Sequence, residues 1–519
     1  MKRENFIWLI AVFLIVSFLF SLPYIVGALL TPPDDKFLAL LRLKDDLAVY
    51  LSWIEQVRQG HPFFVNLFTS EKQIYPFFNF FAFLLGEFSR LSYISPLKLL
   101  FISRYIFAFC LIFVLFLFIS FFFPDDKTRK TGILILLLSS GIGWLTGGYS
   151  PERGINNSVD LWQPESTIFF TLYTNPLFTF SLILILLFFY SLLKLKNWKG
   201  GLVSGICLLV LANVHTYDVL IVGFVWLFFI FLLFLRDKRL PKLEILNSIL
   251  ASLIALPALY YQIFLLHNEP LFAKRAAVPT LSPPIYFYLS GMGFLIPLAI
   301  WGIVKSLKIG RKDDVLLFLI AWTVAGFILP YLPFSFQRKL FMGTQIPLAI
   351  LSVIALSPNH ILGKSKLFPF LLCFLFLSNA VVLGTDIYSL IANKPLYPQP
   401  NYLSQDEVEA LDWLKKNTTD DDTILAIPDF ACYIPALCGR RVYAGHWGET
   451  PNYVEKYREV LRFFKGLSEP VKFLREKGIK YVYYGNYERF LAPEFLRYNI
   501  PNLQIVYRNE EVIIWRVKD

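Results

Sequence analysis

Apolar runs of about 17 to 25 residues, each able to cross the hydrocarbon core of a bilayer as a helix, recur from the first ten residues of this chain to residue 391. Polar segments, most of them short, part them. Such a sequence has too little polar surface to enclose its apolar side chains in water. The composition agrees, with 56% hydrophobic residues, 53 Phe in 519 positions and a mean hydropathy of +0.56. A multi-pass integral membrane protein is expected. The first run covers about 23 residues and leads to Thr31-Pro32-Pro33 without a small-x-small cleavage site, so it reads as a retained span and not a signal peptide.

The formal net charge is +11. Acids and bases nearly balance after residue 400, so the excess lies in loops between apolar runs. That distribution points to membrane topology and against nucleic-acid binding, which wants a basic face interleaved with exposed aromatics. Placing Lys/Arg-rich loops inside gives one consistent threading of about eleven spans, with Lys2 and Arg3 holding the N-terminus in the cytoplasm. The inner clusters are Asp125–Lys130, Lys194/Lys196/Lys199, Arg236–Lys242, Lys305–Lys312 and Lys364/Lys366. Spans are expected at 6–30, 97–123, 131–148, 167–193, two within 201–235, 243–263, 285–304, two more on either side of Pro330–Lys339, and 367–391. The apolar stretch 76–91 would invert every later basic loop if it crossed, so it reads as an interfacial or re-entrant helix. No internal repeat is visible.

Near residue 400 the composition changes. Ser404-Gln405-Asp406-Glu407 is a capping box opening a helix through Lys416. Short β-rich runs at 423–427, 441–444 and 481–484 alternate with helical stretches at 452–465 and 469–477. A hairpin closes the chain, 504–507 with 512–515. The expected organisation is a polytopic membrane domain, 1–398, mainly α-helical, with juxtamembrane helices in its first outer loop, followed by an extracytoplasmic α/β domain, 399–519. Among five cysteines, Cys110, Cys207 and Cys373 lie in apolar segments. Cys432 and Cys438 are near each other, and a disulfide or two free thiols both remain open.

In the first outer loop, Asp45 and Asp46 precede Leu47, Tyr50, Leu51 and Ile54, the i, i+3, i+4, i+7 face of an amphipathic helix. Helix capping by Asp45 and dipole complementation by Asp46 would account for the pair structurally. Alternatively, a carboxylate pair beside apolar walls can have its pKa tuned for general-base work. His215, with Tyr217 and Asp218, interrupts 201–235, where a polar group is expensive unless it sits in a structural turn or faces a cavity. Trp53, Phe63 and Phe64 are candidates to line a groove.

Asp45-Asp46 followed by Tyr50 and Gly60, in the first outer loop after a single span, resembles the acidic motif of the C-type membrane glycosyltransferases. This is the class of the protein O-mannosyltransferases and the lipid A aminoarabinose transferase. The span count, the first-loop helices and the C-terminal outer domain resemble that class too. The resemblance implies transfer of a sugar, with inversion, from a polyprenyl-phosphate donor to an extracytoplasmic glycan, lipid or protein acceptor at the cytoplasmic membrane. Asp45 is the first choice of base and Asp46 the second, with Tyr50 beside them. A second acid is expected in the loop 149–166, where Glu165 is favoured over Asp160 and Glu152. The leaving phosphate needs outer cations: Arg153, Lys274/Arg275 or Arg338/Lys339. Arg338, beside Gln337 in a short loop, is best placed to grip it at headgroup depth, while an interfacial snorkelling arginine is the structural alternative. Asp45, Asp46 and the second-loop acid could share Mg or Mn through oxygen ligands, though no spacing requires it. The run Ile434–Pro451 looks like a segment of uncharacterised bacterial relatives and assigns no substrate. A transporter or flippase, or a polymerase or ligase of lipid-linked glycans, is the alternative function.

Overall fold

The computed structural model describes residues 2–308, 313–356, 367–394, 396 and 398–518. Arg311, Lys312, Lys364 and Lys366, read above as inner-face charges, lie outside these. Among the described residues, sixteen helices occupy the apolar portion: α1 Arg3–Leu29, α2 Lys44–Arg58, α3 Phe80–Ser92, α4 Pro96–Phe122, α5 Asp126–Leu138, α6 Ile168–Thr174, α7 Pro176–Lys194, α8 Trp198–Ala212, α9 Tyr217–Asp237, α10 Lys242–Asn268, α11 Pro270–Ala277, α12 Ile285–Met292, α13 Leu295–Lys308, α14 Asp314–Ile328, α15 Gln345–Leu356 and α16 Leu367–Ile391. Among the described residues, eight helical stretches are long and apolar enough to cross a membrane, or nine if the α12–α13 pair, bent by 77°, is one span. The chain is a multi-pass membrane protein.

The difference from eleven arises at three identifiable places. At 131–148 the helix stops at Leu138 after 13 residues, because Ser139-Ser140-Gly141 turns away. The Ser140 N–H and hydroxyl both bond the Leu375 carbonyl, at 2.8 and 2.6 Å. A Cβ on Gly141 would lie 2.1 Å from the Ser290 carbonyl, so backbone meets backbone there. At 285–304 the break falls on Gly293, whose φ of +49° suits glycine. α8, at 15 residues, is apolar but short. Within the stretch 76–91 the helix begins only at Phe80, and the 13 residues of α3 extend about 20 Å, less than the roughly 30 Å of a bilayer core.

By contacts the chain divides into two compact units: one of 1–23, 102–263 and 279–388, the other of 24–101, 264–278 and 389–519. In the first, α7 packs on α8, α9 on α14, and α13 on α15. A Cβ on Gly302 would meet the Leu351 carbonyl at 2.0 Å, which is how closely α13 and α15 cross.

The second unit joins the first loop to the C-terminal stretch. Strand β1 (Asp35–Phe37) pairs antiparallel with β2 (Tyr402–Ser404), and the Lys44 ammonium donates to the Gln399 carbonyl at 2.7 Å. After β2 come α17 (Gln405–Asn417), β3 (Thr423–Leu425), α18 (Pro428–Ala431), α19 (Tyr433–Cys438), β4 (Arg441–Val442), α20 (Tyr453–Phe464), α21 (Pro470–Glu476), β5 (Ile479–Tyr484), α22 (Asn486–Leu491), β6 (Leu503–Arg508) and β7 (Ile513–Val517). The sheet runs β4-β3-β5-β7-β6, its first three strands parallel and the last two an antiparallel hairpin. Its core includes Leu425, Ile427, Val460, Phe464, Val482 and Tyr484. All five cysteines are free thiols.

The capping box at Ser404 forms as expected: its hydroxyl accepts from the Glu407 N–H and the Glu407 carboxylate accepts from the Ser404 N–H. Burial, with Glu488 and Glu511 nearby, pushes Glu407 up to about 7, and burial does the same for Glu488. Both folded-state values lie above the ordinary 4.5, so the fold favours the protonated carboxyls. Their stabilisation is full below about pH 4.5 and is lost as pH rises through about 7. Thermal unfolding of the whole chain should show a gain on the order of 1–3 kcal/mol from pH 8 to pH 5.5, and Glu407→Gln should flatten that slope.

Candidate active site

Helix α2 carries the acidic pair. It begins after Leu43, which sits in the left-handed region at φ 51° and makes no side-chain cap. Asp45 is therefore not the N-cap; the pair lies inside the first turn, where the helix dipole favours carboxylates. The helix does not lie half-exposed at an interface: residues 47–57 are all buried. Its polar side chains go inside because partners satisfy them. Glu55 takes Arg58 at 2.6 Å and Lys415 at 2.7 Å, and the Gln56 amide bonds the Val65 N–H and carbonyl, both at 3.0 Å. Trp53 is buried against Phe64, Phe77 and Tyr50. Tyr50 also meets Phe81. Of the three aromatics considered for a groove, only Phe63 is exposed.

The Asp45 and Asp46 side chains remain 24% and 38% exposed. The loop 445–450 after β4 approaches them. The Trp447 indole N–H donates to Asp45 Oδ2 at 2.8 Å. His446 Nε2 lies 3.8 Å from Asp45 Oδ2 and 3.6 Å from Asp46 Oδ1, too far for hydrogen bonds but within ion-pair range. Thr450 ties the loop, its hydroxyl donating to the Phe68 carbonyl at 2.6 Å and accepting from the Gly445 N–H at 3.1 Å. Glu449 pairs with Arg275 at 2.8 Å, and the guanidinium covers the faces of Trp53 and Phe77 at 5.1 and 5.4 Å. Arg275 is placed by the N-cap of α11: Glu269 accepts from Leu271 N–H at 3.1 Å and from the N–H groups of Ile74 and Tyr75 at 2.7 Å each.

Burial raises the Asp45 carboxyl above its ordinary 3.8, and the neighbouring Asp46 charge raises it further, against the opposing pull of His446 and Trp447. For His446, burial disfavours the charged ring while Asp46, Asp45 and Glu449 favour it, but the second proton would have to sit on Nδ1, which already accepts two backbone N–H groups. Trp447 also lines an open cavity of about 840 Å³, bordered by Lys274, Arg275, Glu449, Tyr453, Glu455 and Arg458. The site thus offers a carboxylate of raised basicity, an adjoining cavity and cations at its rim. Among the described residues, no group of three or more His, Cys, Asp or Glu side chains is arranged to hold a metal ion.

The other sequence candidates lie in the other unit. Glu165 is buried, its Oε2 without a hydrogen-bond partner among the described residues. Burial raises its pKa, opposed by Arg338, His215 and Lys339. The Arg338 guanidinium lies over Trp162 at 5.3 Å, and the Lys339 ammonium over Tyr217 at 4.3 Å. The His215 ring pairs with Asp218 at 3.0 Å and packs on Phe178. The Gln337 amide is used at both ends by backbone, bonding the Ser282 N–H and the Leu332 carbonyl. Asp160 is fully buried, holding the Gly143 N–H at 3.3 Å and the Ser158 hydroxyl at 2.6 Å. Glu152 and Arg153 are exposed in a 3-10 turn.

Glu165, Arg338, Lys339 and His215 therefore form one electrostatic cluster, and Asp45, Asp46, His446, Trp447, Glu449 and Arg275 another. Sequence reasoning missed His446 and Trp447 as site residues, although the Gly445-His446-Trp447-Gly448-Glu449 run stands out in its sequence segment.

No family model and no curated protein matches the chain. Solved structures do. The ArnT protein of Cupriavidus metallidurans bound to undecaprenyl phosphate is 12% identical with a TM-score of 0.56, covering 99% of this chain and 98% of its own. Its apo state gives a TM-score of 0.55 over the same shares, at 12% identity. The arabinofuranosyltransferase AftD from Mycobacteria is 13% identical with a TM-score of 0.56; it covers all of this chain, which spans 40% of AftD. The chain shares its fold with ArnT and AftD.

Proposed function

We propose that this protein transfers a sugar from a polyprenyl-phosphate-linked donor to a hydroxyl acceptor on the extracytoplasmic side, with Asp45 as general base. The observation that carries this is the partly exposed Asp45–Asp46 pair, in which burial and the Asp46 charge raise the basicity of Asp45, in a fold shared along nearly its whole length with a protein that binds undecaprenyl phosphate. In the step proposed, the acceptor oxygen attacks the anomeric carbon, its proton passes to the Asp45 carboxylate, and the anomeric carbon–oxygen bond to phosphate breaks. Attack opposite the leaving group inverts the configuration. Polyprenyl phosphate departs with the electron pair. No step here uses a metal ion. Lys2 and Arg3 inside, by the basic-loop pattern, support the outward orientation.

The test is release of undecaprenyl phosphate from a panel of undecaprenyl-phosphate-linked hexoses and pentoses by purified protein, with mixed cell-envelope glycans and lipids as acceptors. Absence of release from every donor would sink this reading.

A further inference from the structure

The loop 445–450 packs an imidazole against the acidic pair in a particular protonation. His446 Nδ1 accepts from two backbone N–H groups, Gly448 at 3.0 Å and Glu449 at 3.1 Å. A nitrogen already facing two donors cannot carry a proton of its own. The proton of the neutral ring therefore sits on Nε2, the atom aimed at Asp45 and Asp46. That nitrogen is buried and makes no hydrogen bond among the described residues, stopping a few tenths of an ångström short of each carboxylate.

We propose that His446 is a positioning residue for the Asp45–Asp46 pair: its backbone-locked imidazole presents a single Nε2–H to both carboxylates and favours their ionised form. This rests on the reading of Asp45 as base. The ring does not act as the base itself, because its only lone pair, on Nδ1, is occupied by the backbone. A buried N–H with two charged acceptors just beyond reach is poised to close on whichever oxygen carries charge, and catalytic hydrogen bonds commonly tighten only with substrate bound. Gly448 belongs to the same device, since a Cβ there would stand 3.2 Å from the ring's Cε1. The charged groups facing the ring are Asp45, Asp46 and Glu449; Cys432 between α18 and α19, Tyr433 of α19 and Tyr453 of α20 face Asp45.

The test uses the full chain in detergent, labelled with ¹⁵N in histidine and ¹³C in aspartate carboxyls. His446 signals are assigned by their loss in His446→Gln. At pH 7 the ring should show Nδ1 unprotonated and Nε2 protonated. His446→Asn, which keeps an acceptor near Nδ1 but no donor near Nε2, should raise the carboxyl pKa of the pair by about half a unit or more. His446→Gln, which keeps a donor there, should recover much of that shift. A protonated Nδ1 at pH 7, or carboxyl values unmoved in His446→Asn, overturns the proposal. If His446→Asn fails to fold, the tautomer of the unaltered chain still decides. These readouts need no substrate, so they can fail or succeed independently of the transfer assay in Asp45→Asn that judges the base assignment.

Discussion

Asp45→Asn is expected to lower sugar transfer by about 10²- to 10⁴-fold, the contribution of a positioned general base, with donor KM nearly unchanged. The substitution is isosteric, and the amide oxygen can still accept the Trp447 indole N–H that Asp45 Oδ2 takes at 2.8 Å, so loss of rate would not reflect loss of the loop. Asp46→Asn should cost less in kcat and should lower the apparent pKa of the remaining carboxylate, because it removes the charge that raises Asp45. A base works ionised, so the wild-type rate should fall as pH drops through a value above the ordinary 3.8 of an aspartate. In Asp46→Asn that acid limb should move to lower pH. Full activity in both asparagine variants would remove the base assignment, and the same limb in wild type and Asp46→Asn would remove the coupling argument.

How much of this was legible in the sequence differs by element. The C-terminal strands and helices were readable because turn chemistry and capping are local: the Ser404 box, the strands around 423 and 481 and the closing hairpin all form close to their expected bounds. The span at 131–148 was not readable, since what stops α5 at Leu138 is Gly141 touching the backbone of Ser290, a contact of distant residues. Helix α2 shows the same limit in another form. Its apolar spacing predicts one buried face, yet Glu55 and Gln56 are buried too, because Lys415 and the Val65 backbone meet them from elsewhere in the chain. The acidic pair itself stood out by charge in an apolar context. Its neighbours His446 and Trp447 lie 400 residues away in sequence, and local pattern carries no distance information across that gap.

The largest stability effect is expected at Trp53, in the middle of α2. Stacked on Phe64 at 5.4 Å, edge-on to Phe77 at 5.3 Å and roofed by the Arg275 guanidinium at 5.1 Å, it is the hub that joins α2 to the segment 64–77 and to α11. Trp53→Ala would leave a cavity among aromatic rings that cannot collapse into it, a loss of about 3–5 kcal/mol, or a fall in Tm on the order of 10 °C for a unit of this size. Arg275 would lose its cation–π face at the same time, loosening its hold on Glu449 and hence on the loop that carries His446 and Trp447. Phe63→Ala, ten residues along and 54% exposed, should shift stability by less than about 0.5 kcal/mol. Thermal unfolding of both variants in one detergent checks the contrast, and equal shifts would mean that Trp53 is not the hub its packing implies. Transfer by Trp53→Ala, measured well below its lowered Tm, should still fall, because the imidazole and indole that face Asp45 depend on the Arg275–Glu449 pair for their place.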